Sequence, residues 1–562
     1  MKKHPKTINN TTSAVLILND NYTYSECNMS LKIEAIIPPL QRSSNNRLIP
    51  SIDDNGGGVC VLSKEKLRQG EELASCYAAA IAMDPSYRDM CAYCASPCEN
   101  SVNSAELESK RTGTGSRCKS CCMVSICERC KANGAQKWHV ESGECRALLA
   151  LAHAIHTISS QGEINEMSIN IEMADSIDAS YVLTVRLMIR RWNEKIASSP
   201  FPTMDWSLLD QLYKADVGLC GSTINEICKL MSDSFYAKSA NTKKLMHESW
   251  INSNDFNDTM GKVLGCSHAI TDVTAPLGCQ SIGRSLFLEH SFYNHCCTPN
   301  SFLSSRIGDG KGDHKCALNA RLHCIQDVEK GQGVTISYIP TSGLSCDERR
   351  QRLKQNYDFT CQCEACERKS QLSKKLDRLL CLPEDCDVEM IRQMQFVCNQ
   401  QLLQLEHSRK DNVSTNHRDK DEVQLNEVQS CISTINMNKR GICNQGIPKH
   451  HEVSIESHRL LAKALSLSSD IKGSLKEQTS FRDAVEPIIK IFDPVAYSTS
   501  LVDYGRDLYK VGKDEEGESI LLCARKYAVS ALGEDHKMVQ TINQTVKTVA
   551  MRERKRQKIE SS

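Results

Sequence analysis

The spacing of cysteines in one short block constrains the fold of this chain more than any other feature. The chain has 562 residues and 30 cysteines, and nine of the cysteines lie between Cys91 and Cys145. Because a C-x2-C turn places two thiolates at one edge of a tight loop, two such pairs can complete the tetrahedron that Zn²⁺ prefers. Three such pairs precede a histidine and a final cysteine: Cys91, Cys94, Cys118, Cys121, Cys127, Cys130, His139 and Cys145. These ligands predict two zinc ions in a domain too small to fold on its apolar core alone.

Disulfides and buried thiols are the alternatives to zinc in this block. The opening sequence MKKHPKTINNTTS lacks the apolar run of about 7–15 residues that a secretory signal has, and no uncharged apolar stretch approaches about 18 residues. The chain is therefore expected to be soluble and intracellular, without a membrane partner, in a compartment that does not maintain disulfides. Buried cysteines can act as small hydrophobes, but the repeated spacing with a terminal histidine favours metal ligation.

Balanced charge removes the general argument for nucleic acid or membrane partners. Lysine and arginine total 69, and so do aspartate and glutamate, so no net charge attracts a polyanion. The cysteine block also lacks a basic helix with base-reading residues, which disfavours direct nucleic-acid binding and favours protein interaction. A chain of this length is expected to hold about two to four domains.

Hydrophobic patterns outside the block divide the chain into β-like and helical segments. Short alternating runs punctuated by glycine, such as those near Val59 and Gly333, predict strands on both sides of a helical stretch. Near the C terminus, two amphipathic helices broken at Gly512 and capped at Gly533 resemble a tetratricopeptide-type (TPR-type) hairpin. Residues 1–45 are rich in Asn, Ser and Thr and are predicted to be a disordered leader.

Four motifs in a fixed order resemble those of one enzyme family. GGGV at Gly56 with QGEE at Gln69 resembles the first strand motif of SET domains. NHCCTPN from Asn294 and GQGVTISY ending at Tyr338 resemble two later SET signatures, and YDFTCQCEAC from Tyr357 resembles the post-SET module. The cysteine block between them resembles a MYND zinc finger. Together these motifs resemble the SET-and-MYND-domain protein lysine methyltransferases.

The resemblance implies a multi-domain α+β fold. A mostly β SET domain would be split by the MYND finger and a helical insert, and a post-SET zinc module and a TPR-like helical region would follow it. The implied segments are 1–45 (leader), 46–90 (N-terminal part of SET), 91–145 (MYND finger), 146–262 (helical insert), 263–342 (SET core), 343–370 (post-SET) and 371–562 (helical C-terminal domain).

The resemblance also implies how about three zinc ions are held. Family ligation is interleaved, which gives one site from Cys91, Cys94, Cys127 and Cys130, a second from Cys118, Cys121, His139 and Cys145, and a third from Cys297, Cys361, Cys363 and Cys366. The spacings in the finger depart from the family pattern, so Cys98 and Cys122 stay open as substitutes. Cys296 stands where serine is usual and is not expected to bind metal.

S-adenosylmethionine is the cofactor that the resemblance implies. Methyl transfer to a lysine amine needs an in-line approach and no covalent enzyme intermediate, so positioning is the main contribution of the protein. Asn294 and His295 would contact the cofactor, with help from Ser291 and from the backbone near Gly58.

Three aromatic residues complete the implied site for a lysine of a histone or non-histone protein. Tyr338 would orient the acceptor amine, because a phenol with an ordinary pKa of about 10 is a poor base at neutral pH. Tyr357 and Phe359 would wall the cofactor or lysine channel, where aromatic faces favour a cationic group.

Several positions depart from the family pattern and keep an alternative open. Cys266 stands where the family usually has Asn, Gly57 where Arg, Lys or Asn is common, and Gln332-Gly333 replaces paired acids. The alternative is a weak or inactive adaptor in transcriptional regulation whose MYND surface binds proline-containing peptides. In either case a monomer in the cytoplasm, the nucleus or both is expected, and RERKRQK from Arg552 is either a solvated helix end or a nuclear localisation signal.

Overall fold

Helices and short strands alternate along the part of the chain that the computed structural model describes. That part is residues 33–52, 59–98, 117–160, 171–193, 199–218, 221–236, 251–272, 280–307, 316–384, 386–412, 418–489 and 494–560. Gly57 and Gly58 of the predicted cofactor turn lie outside it. The mixture of helix and sheet confirms the predicted α+β class. None of the helices in the described ranges combines the length and apolar character that a membrane span requires.

Ten strands and eighteen α-helices occur in the described residues. The strands are β1 (Leu48–Ile52), β2 (Val59–Ser63), β3 (Glu72–Tyr77), β4 (Ala80–Met83), β5 (His268–Asp272), β6 (Gln280–Leu286), β7 (Asn294–His295), β8 (Ser301–Arg306), β9 (Asn319–Cys324) and β10 (Thr335–Ile336). The helices before the post-SET motif are α1 (Ile33–Ser43), α2 (Glu128–Ala132), α3 (Ala135–Glu141), α4 (Glu144–Ser160), α5 (Ile171–Asp175), α6 (Ala179–Trp192), α7 (Ser207–Gln211), α8 (Gly221–Tyr236), α9 (Ser253–Cys266) and α10 (Cys346–Tyr357). The later helices are α11 (Gln371–Leu380), α12 (Val388–Asn412), α13 (Arg418–Asn444), α14 (Glu452–Leu467), α15 (Ile471–Ile489), α16 (Pro494–Lys510), α17 (Asp514–Leu532) and α18 (Lys537–Glu560).

Strands from before and after the helical stretch pair directly with each other. β3 is antiparallel to β9, which carries β8 on its other side, and β4 is antiparallel to β6, which carries β5. The cysteine block and helices α2–α9 therefore leave the β region after β4 and return to it at β5.

Strands β7 and β10, two residues each, pair in parallel and place the NHCCTPN motif beside the GQGVTISY motif. Asn294 lies opposite Thr335, and His295 lies opposite Ile336. The side chain of Asn300 supports this pair, because its Nδ2–H donates to Gly333 O (2.8 Å) and its Oδ1 accepts from the Thr335 N–H (2.9 Å). The asparagine that closes NHCCTPN thus sets the position of the strand that leads to Tyr338.

Buried arginines on one face of α6 tie the helical insert to the β region. Arg186 Nη1 donates to Ile81 O at 2.5 Å, and Arg190 Nη1 donates to Ala78 O at 3.0 Å. The Arg186 guanidinium also lies 4.6 Å from the centroid of the Tyr93 ring. Because residues four apart share a helix face, both side chains reach the same edge of the β region.

The predicted disordered leader is wrong over its last third. Residues 1–32 lie outside the described residues, but residues 33–43 form α1, which packs on β1 and is followed by two asparagines of positive φ, Asn45 and Asn46. Ile36 and Leu40 are fully buried. These two apolar side chains four residues apart form one helical face, which the polar composition around them concealed.

The predicted C-terminal hairpin is confirmed by α16 and α17. Gly512 (φ +79°) lies in the turn between them, and Gly533 (φ +80°) caps the second. The helices approach closely at Gly505, where an added Cβ would lie 2.8 Å from Leu521 Cγ. The likeness of residues 371–562 to a TPR array remains a prediction.

Candidate zinc centres and active-site cleft

Four buried cysteines of the predicted finger meet at one point. The sulfur atoms of Cys91, Cys94, Cys127 and Cys130 lie within 4.8 Å of one another. Cys91 and Cys94 lie in a tight turn that includes Ala95, whose φ is +57°. Cys127 is the N-cap residue of α2, and Cys130 lies inside that helix. The Sγ atoms of Cys94 and Cys127 are 3.7 Å apart. This spacing is too long for a disulfide and fits four thiolates around one zinc ion.

The remaining finger ligands form a second group beside the first. The ligand atoms of Cys118, Cys121, His139 and Cys145 also lie within 4.8 Å of one another. Cys118 Sγ is 3.6 Å from Cys145 Sγ, and Cys121 Sγ is 3.6 Å from His139 Nε2. The two groups alternate along the chain in the interleaved order that the resemblance implied. Within the described residues, neither open substitute, Cys98 or Cys122, is among the atoms of a group.

A buried carboxylate that the sequence analysis did not identify holds the histidine of the second group. Glu144 Oε2 lies 2.7 Å from His139 Nδ1 and accepts from the Tyr93 O–H at 2.5 Å, while Oε1 accepts from Arg186 Nε at 2.7 Å. Burial alone would raise the pKa of Glu144, but the Arg186 charge and these hydrogen bonds lower it below the ordinary value. A carboxylate on the far nitrogen of a ligating histidine fixes the ring and leaves Nε2 for the metal.

The third group joins the NHCCTPN segment to the post-SET segment. The sulfur atoms of Cys297, Cys361, Cys363 and Cys366 lie within 4.8 Å of one another, and Cys297 Sγ is 3.5 Å from Cys366 Sγ. Helix α10 delivers the last three, because it ends in the left-handed residue Asp358 (φ +55°), after which the chain turns toward β7. All three groups could hold zinc.

We expect Cys297→Ser to remove one zinc ion and also to lower activity, because Cys297 joins β7 to the segment that carries Phe359. Zinc per chain, measured by atomic emission, should fall from about three to about two. The control is Cys296→Ser, because that thiol contacts Cys363 and Thr298 O (3.4 Å) but is not one of the four sulfur atoms of the group. Full zinc content and full activity in Cys297→Ser would contradict the assignment.

Tyr338 lies at the centre of an aromatic cluster. Its hydroxyl donates to Tyr293 O at 2.7 Å, and its carbonyl accepts from the Tyr357 O–H at 3.1 Å. The Tyr338 ring lies 5.1 Å from the Tyr357 ring and, edge to face, 6.3 Å from the Phe359 ring. Burial raises the pKa of Tyr338 well above the ordinary value, so the phenol keeps its proton at neutral pH.

His295 connects Tyr338 to the third zinc group. Its Nδ1 accepts from the Tyr338 N–H at 3.0 Å, and its Nε2 lies 3.3 Å from Cys297 Sγ. Burial lowers the pKa of His295 to about 4, in agreement with an Nδ1 that accepts. Because both ring nitrogens have protein partners, this imidazole positions the segment after β10 that carries Tyr338.

A cavity of about 1130 Å³ opens beside this cluster, between the β region and the C-terminal helices. Ser291, Tyr338 and Tyr357 line it, whereas the predicted site residues Asn294, His295 and Phe359 do not. The far side of the cavity is formed by α12 and α14–α16, which were not predicted to belong to the site. Their helical pattern carried no chemical motif that could have placed them there.

The segment that departs from the family pattern forms one end of this cavity. The Cys266 thiol donates to Tyr213 O at 3.4 Å. The next two residues also line the cavity, and Ser267 Oγ and His268 Nε2 are buried atoms without a hydrogen-bond partner among the described residues. Unpartnered buried polar atoms are costly, so a polar ligand such as the implied cofactor fits this end.

Comparison with known proteins gives relatives of one kind. A histone-lysine N-methyltransferase of Arabidopsis thaliana, ASHR1, is 27% identical over 314 residues, 52% of this chain and 56% of its own. Human histone-lysine N-methyltransferase SMYD1 is 22% identical over 276 residues, 47% of this chain and 51% of its own. A SET and MYND domain-containing protein of Dictyostelium discoideum is 36% identical over 84 residues, 15% of this chain and 22% of its own. The chain thus spans about half the length of the first two relatives, and the resemblance to SET-and-MYND-domain proteins is confirmed.

Comparisons with protein-family models and with solved structures give no further assignment. No protein-family model matches the chain. A crystal structure of the SET domain of LSMT bound to lysine and AdoHcy aligns with 82% of this chain and 92% of its own at 9% identity, with a TM-score of 0.28. A likeness at this level does not assign a fold.

Proposed function

Because the chain resembles SET-and-MYND-domain histone-lysine methyltransferases over about half its length, we propose that it is a zinc-containing protein-lysine N-methyltransferase. It would use S-adenosylmethionine and act on histone or non-histone proteins. The observation that carries the proposal is Tyr338, whose side chain lines the cavity while His295 and Tyr357 hold its backbone. We assign residues 46–90 and 263–342 to one split SET domain, 91–145 to a MYND finger, 146–262 to its helical insert, 343–370 to a post-SET module and 371–562 to a TPR-like region.

Tyr338 would act by orienting the acceptor amine. Its hydroxyl proton is donated to Tyr293 O, so its oxygen is free to accept a hydrogen bond from the lysine N–H and direct the nitrogen lone pair. The raised pKa of Tyr338 excludes it as a base at neutral pH. Bound S-adenosylmethionine would supply a methyl group on a sulfonium. The neutral amine would form a bond to that methyl carbon as the carbon–sulfur bond breaks, and the thioether would leave with the electron pair. The aromatic wall formed with Tyr357 keeps water from the reacting atoms.

The cofactor would be held at the end of the cavity nearest β5 and β6. Ser267 and His268 offer their unpartnered polar atoms there, and they would replace the contact that Cys266 lacks. Ser291 and Tyr357 line the cavity and are proposed at this site as well. The expected cofactor contacts of Gly58, Asn294, His295 and Phe359 stay predictions from the resemblance, because Gly58 is outside the described residues and the other three do not line the cavity. His295 would be a positioning residue that acts through Tyr338.

We expect Tyr338→Phe to lower methyl transfer by about 100-fold, because losing the orienting oxygen misplaces the amine relative to the methyl group. The assay follows label from radiolabelled S-adenosylmethionine into a mixed protein extract. Cofactor affinity and zinc content should stay unchanged, and His295→Ala should lose activity as well. Tyr181→Phe is the matched control, because Tyr181 is a half-buried phenol of α6 that does not line the cavity.

A non-catalytic adaptor is the competing function, and Cys266 is the observation that favours it. The thiol replaces a polar cofactor contact and is directed to Tyr213 O. The adaptor would bind proline-containing peptides at its MYND surface. If the full-length, zinc-loaded protein neither transfers label nor binds cofactor measurably, the enzyme proposal is wrong and the adaptor remains.

The finer properties of the chain are proposals of the same kind. We propose a monomer in the cytoplasm, the nucleus or both, with RERKRQK from Arg552 as a nuclear localisation signal. Direct nucleic-acid binding is disfavoured by the equal totals of 69 basic and 69 acidic residues.

A further inference from the structure

The cavity beside Tyr338 carries an excess of positive charge on its walls. Eight lysine or arginine side chains line it, compared with five aspartate or glutamate side chains. The chain as a whole has equal numbers of both, so the excess is local to the cavity. Clefts lined by one sign of charge attract ligands of the opposite sign.

The five carboxylates on the wall are already paired with cations of the wall. Glu452 Oε1 lies 2.7 Å from Arg352 and 2.6 Å from Arg392, and Asp507 Oδ1 lies 2.7 Å from Lys510. The other three carboxylates likewise lie within 4.0 Å of a lysine or arginine of the cavity. None of the five carboxylates is therefore left to attract a basic ligand.

Two cations of the wall have no carboxylate oxygen within 4.0 Å among the described residues, although Arg284 attracts the Asp84 carboxylate at longer range, and the two lie on opposite sides of the cavity. Arg482 on α15 lies 5.2 Å from the centroid of the Tyr504 ring, and its Nε is a buried atom without a hydrogen-bond acceptor. Arg284 on β6 is directly opposite Ala269 of β5, which also lines the cavity. Residues opposite each other in an antiparallel pair share a face, so the Arg284 side chain is on the cavity side of the sheet.

We propose that the cavity selects a lysine-bearing protein segment that carries acidic side chains next to the lysine. This inference rests on the proposed function for the acceptor lysine, but the selectivity is a binding property that stands without turnover. Glutamate or aspartate residues of the segment would pair with Arg284 and Arg482. A segment rich in lysine and arginine would instead bring like charges together.

Peptide binding to the full-length, zinc-loaded protein tests this inference. Three fluorescein-labelled peptides are compared by anisotropy, each with one central lysine flanked by glutamates, by glutamines or by arginines. The glutamate peptide should bind about tenfold more tightly than the glutamine peptide at low salt, and the difference should shrink at high salt. Arg482→Gln and Arg284→Gln should each lower the affinity for the glutamate peptide about threefold, because the two arginines share the roughly tenfold preference, and should leave the glutamine peptide unchanged.

Two further variants separate charge from packing. Arg482→Lys keeps the charge and should retain most of the preference, whereas Arg368→Gln removes an exposed cation outside the cavity and should change nothing. Equal affinity for all three peptides, or a preference for the arginine peptide, overturns the inference. A chain that prefers the glutamate peptide but transfers no methyl group would overturn the proposed function and support the selectivity.

Discussion

Cys127→Ser is expected to cause the largest loss of stability of any substitution considered, with the loss of one zinc ion. The Cys127 sulfur completes a buried group of four thiols, and a structural zinc ion that binds only the folded state contributes its binding energy to folding, about 10–16 kcal/mol in finger peptides at neutral pH. A serine hydroxyl is a poor ligand by comparison, so much of that contribution is lost. Zinc content should fall from about three ions to about two, and the urea midpoint should fall steeply.

The nearby Cys98→Ser is the matched control. Cys98 is also buried, with 4% of its surface exposed, but its sulfur is outside both finger groups. This variant should keep all the zinc and lose only the stability of one small buried apolar group. Loss of zinc from Cys98→Ser, or full zinc in Cys127→Ser, would mean that Cys98 rather than Cys127 is the zinc ligand.

The parts of the fold that were predictable are those that short sequence spacing controls. A C-x2-C turn fixes the distance between its sulfur atoms whatever surrounds it, so the three C-x2-C pairs of the finger were predictable from spacing alone. Which pairs share a zinc ion required the resemblance. Alternating runs identified β2 and β10, and the glycines at 512 and 533 identified the C-terminal hairpin, because a positive φ has a strong residue preference. The partner of the post-SET cysteines, Cys297, required the resemblance, because 64 residues separate it from Cys361.

The parts that escaped prediction depend on contacts between distant segments. Arg186 and Glu144 have the pattern of ordinary polar helix positions in the sequence, but both are buried and paired with each other. A backbone carbonyl such as Ile81 O has no sequence signal, so its arginine partner cannot be identified from spacing. The cavity wall was missed for the same reason, because α12 and α14–α16 reach it only through tertiary packing. Site residues that belong to a short sequence motif could therefore be predicted, whereas residues that only tertiary packing brings to the site could not.

Arg186→Met is the second substitution expected to have a large effect, because it leaves a carboxylate buried without its cation. The Arg186 and Glu144 side chains are each about 4% exposed, and the Nε–Oε1 distance is 2.7 Å. Removing one partner of such a pair typically costs about 3–5 kcal/mol. The carbonyl oxygens of Ile81 and Ala92 lose their donor as well. Urea unfolding should therefore show a destabilisation in this range.

Arg191→Met on the same helix is the matched control. The Arg191 side chain is 42% exposed and pairs with Asp210 at 2.8 Å, and surface pairs of this kind contribute about 0–1 kcal/mol. The double variant Arg186→Met with Glu144→Gln removes the buried negative charge, so it should be less destabilised than the sum of the two single variants.

Zinc affinity distinguishes a metal-positioning role of this pair from a purely structural one. Glu144 lies 2.7 Å from His139 Nδ1, so a carboxylate that has lost Arg186 holds the imidazole less firmly, and loss of such outer contacts costs about 10–100-fold in metal affinity. Competition with a chelator should therefore remove one zinc ion from Arg186→Met before any is lost from Arg191→Met. If Arg186→Met is destabilised but releases zinc at the same chelator concentration as Arg191→Met, the pair joins the helical insert to the β region without positioning the ligand. If its stability also equals that of Arg191→Met, the buried pair makes no net contribution to folding.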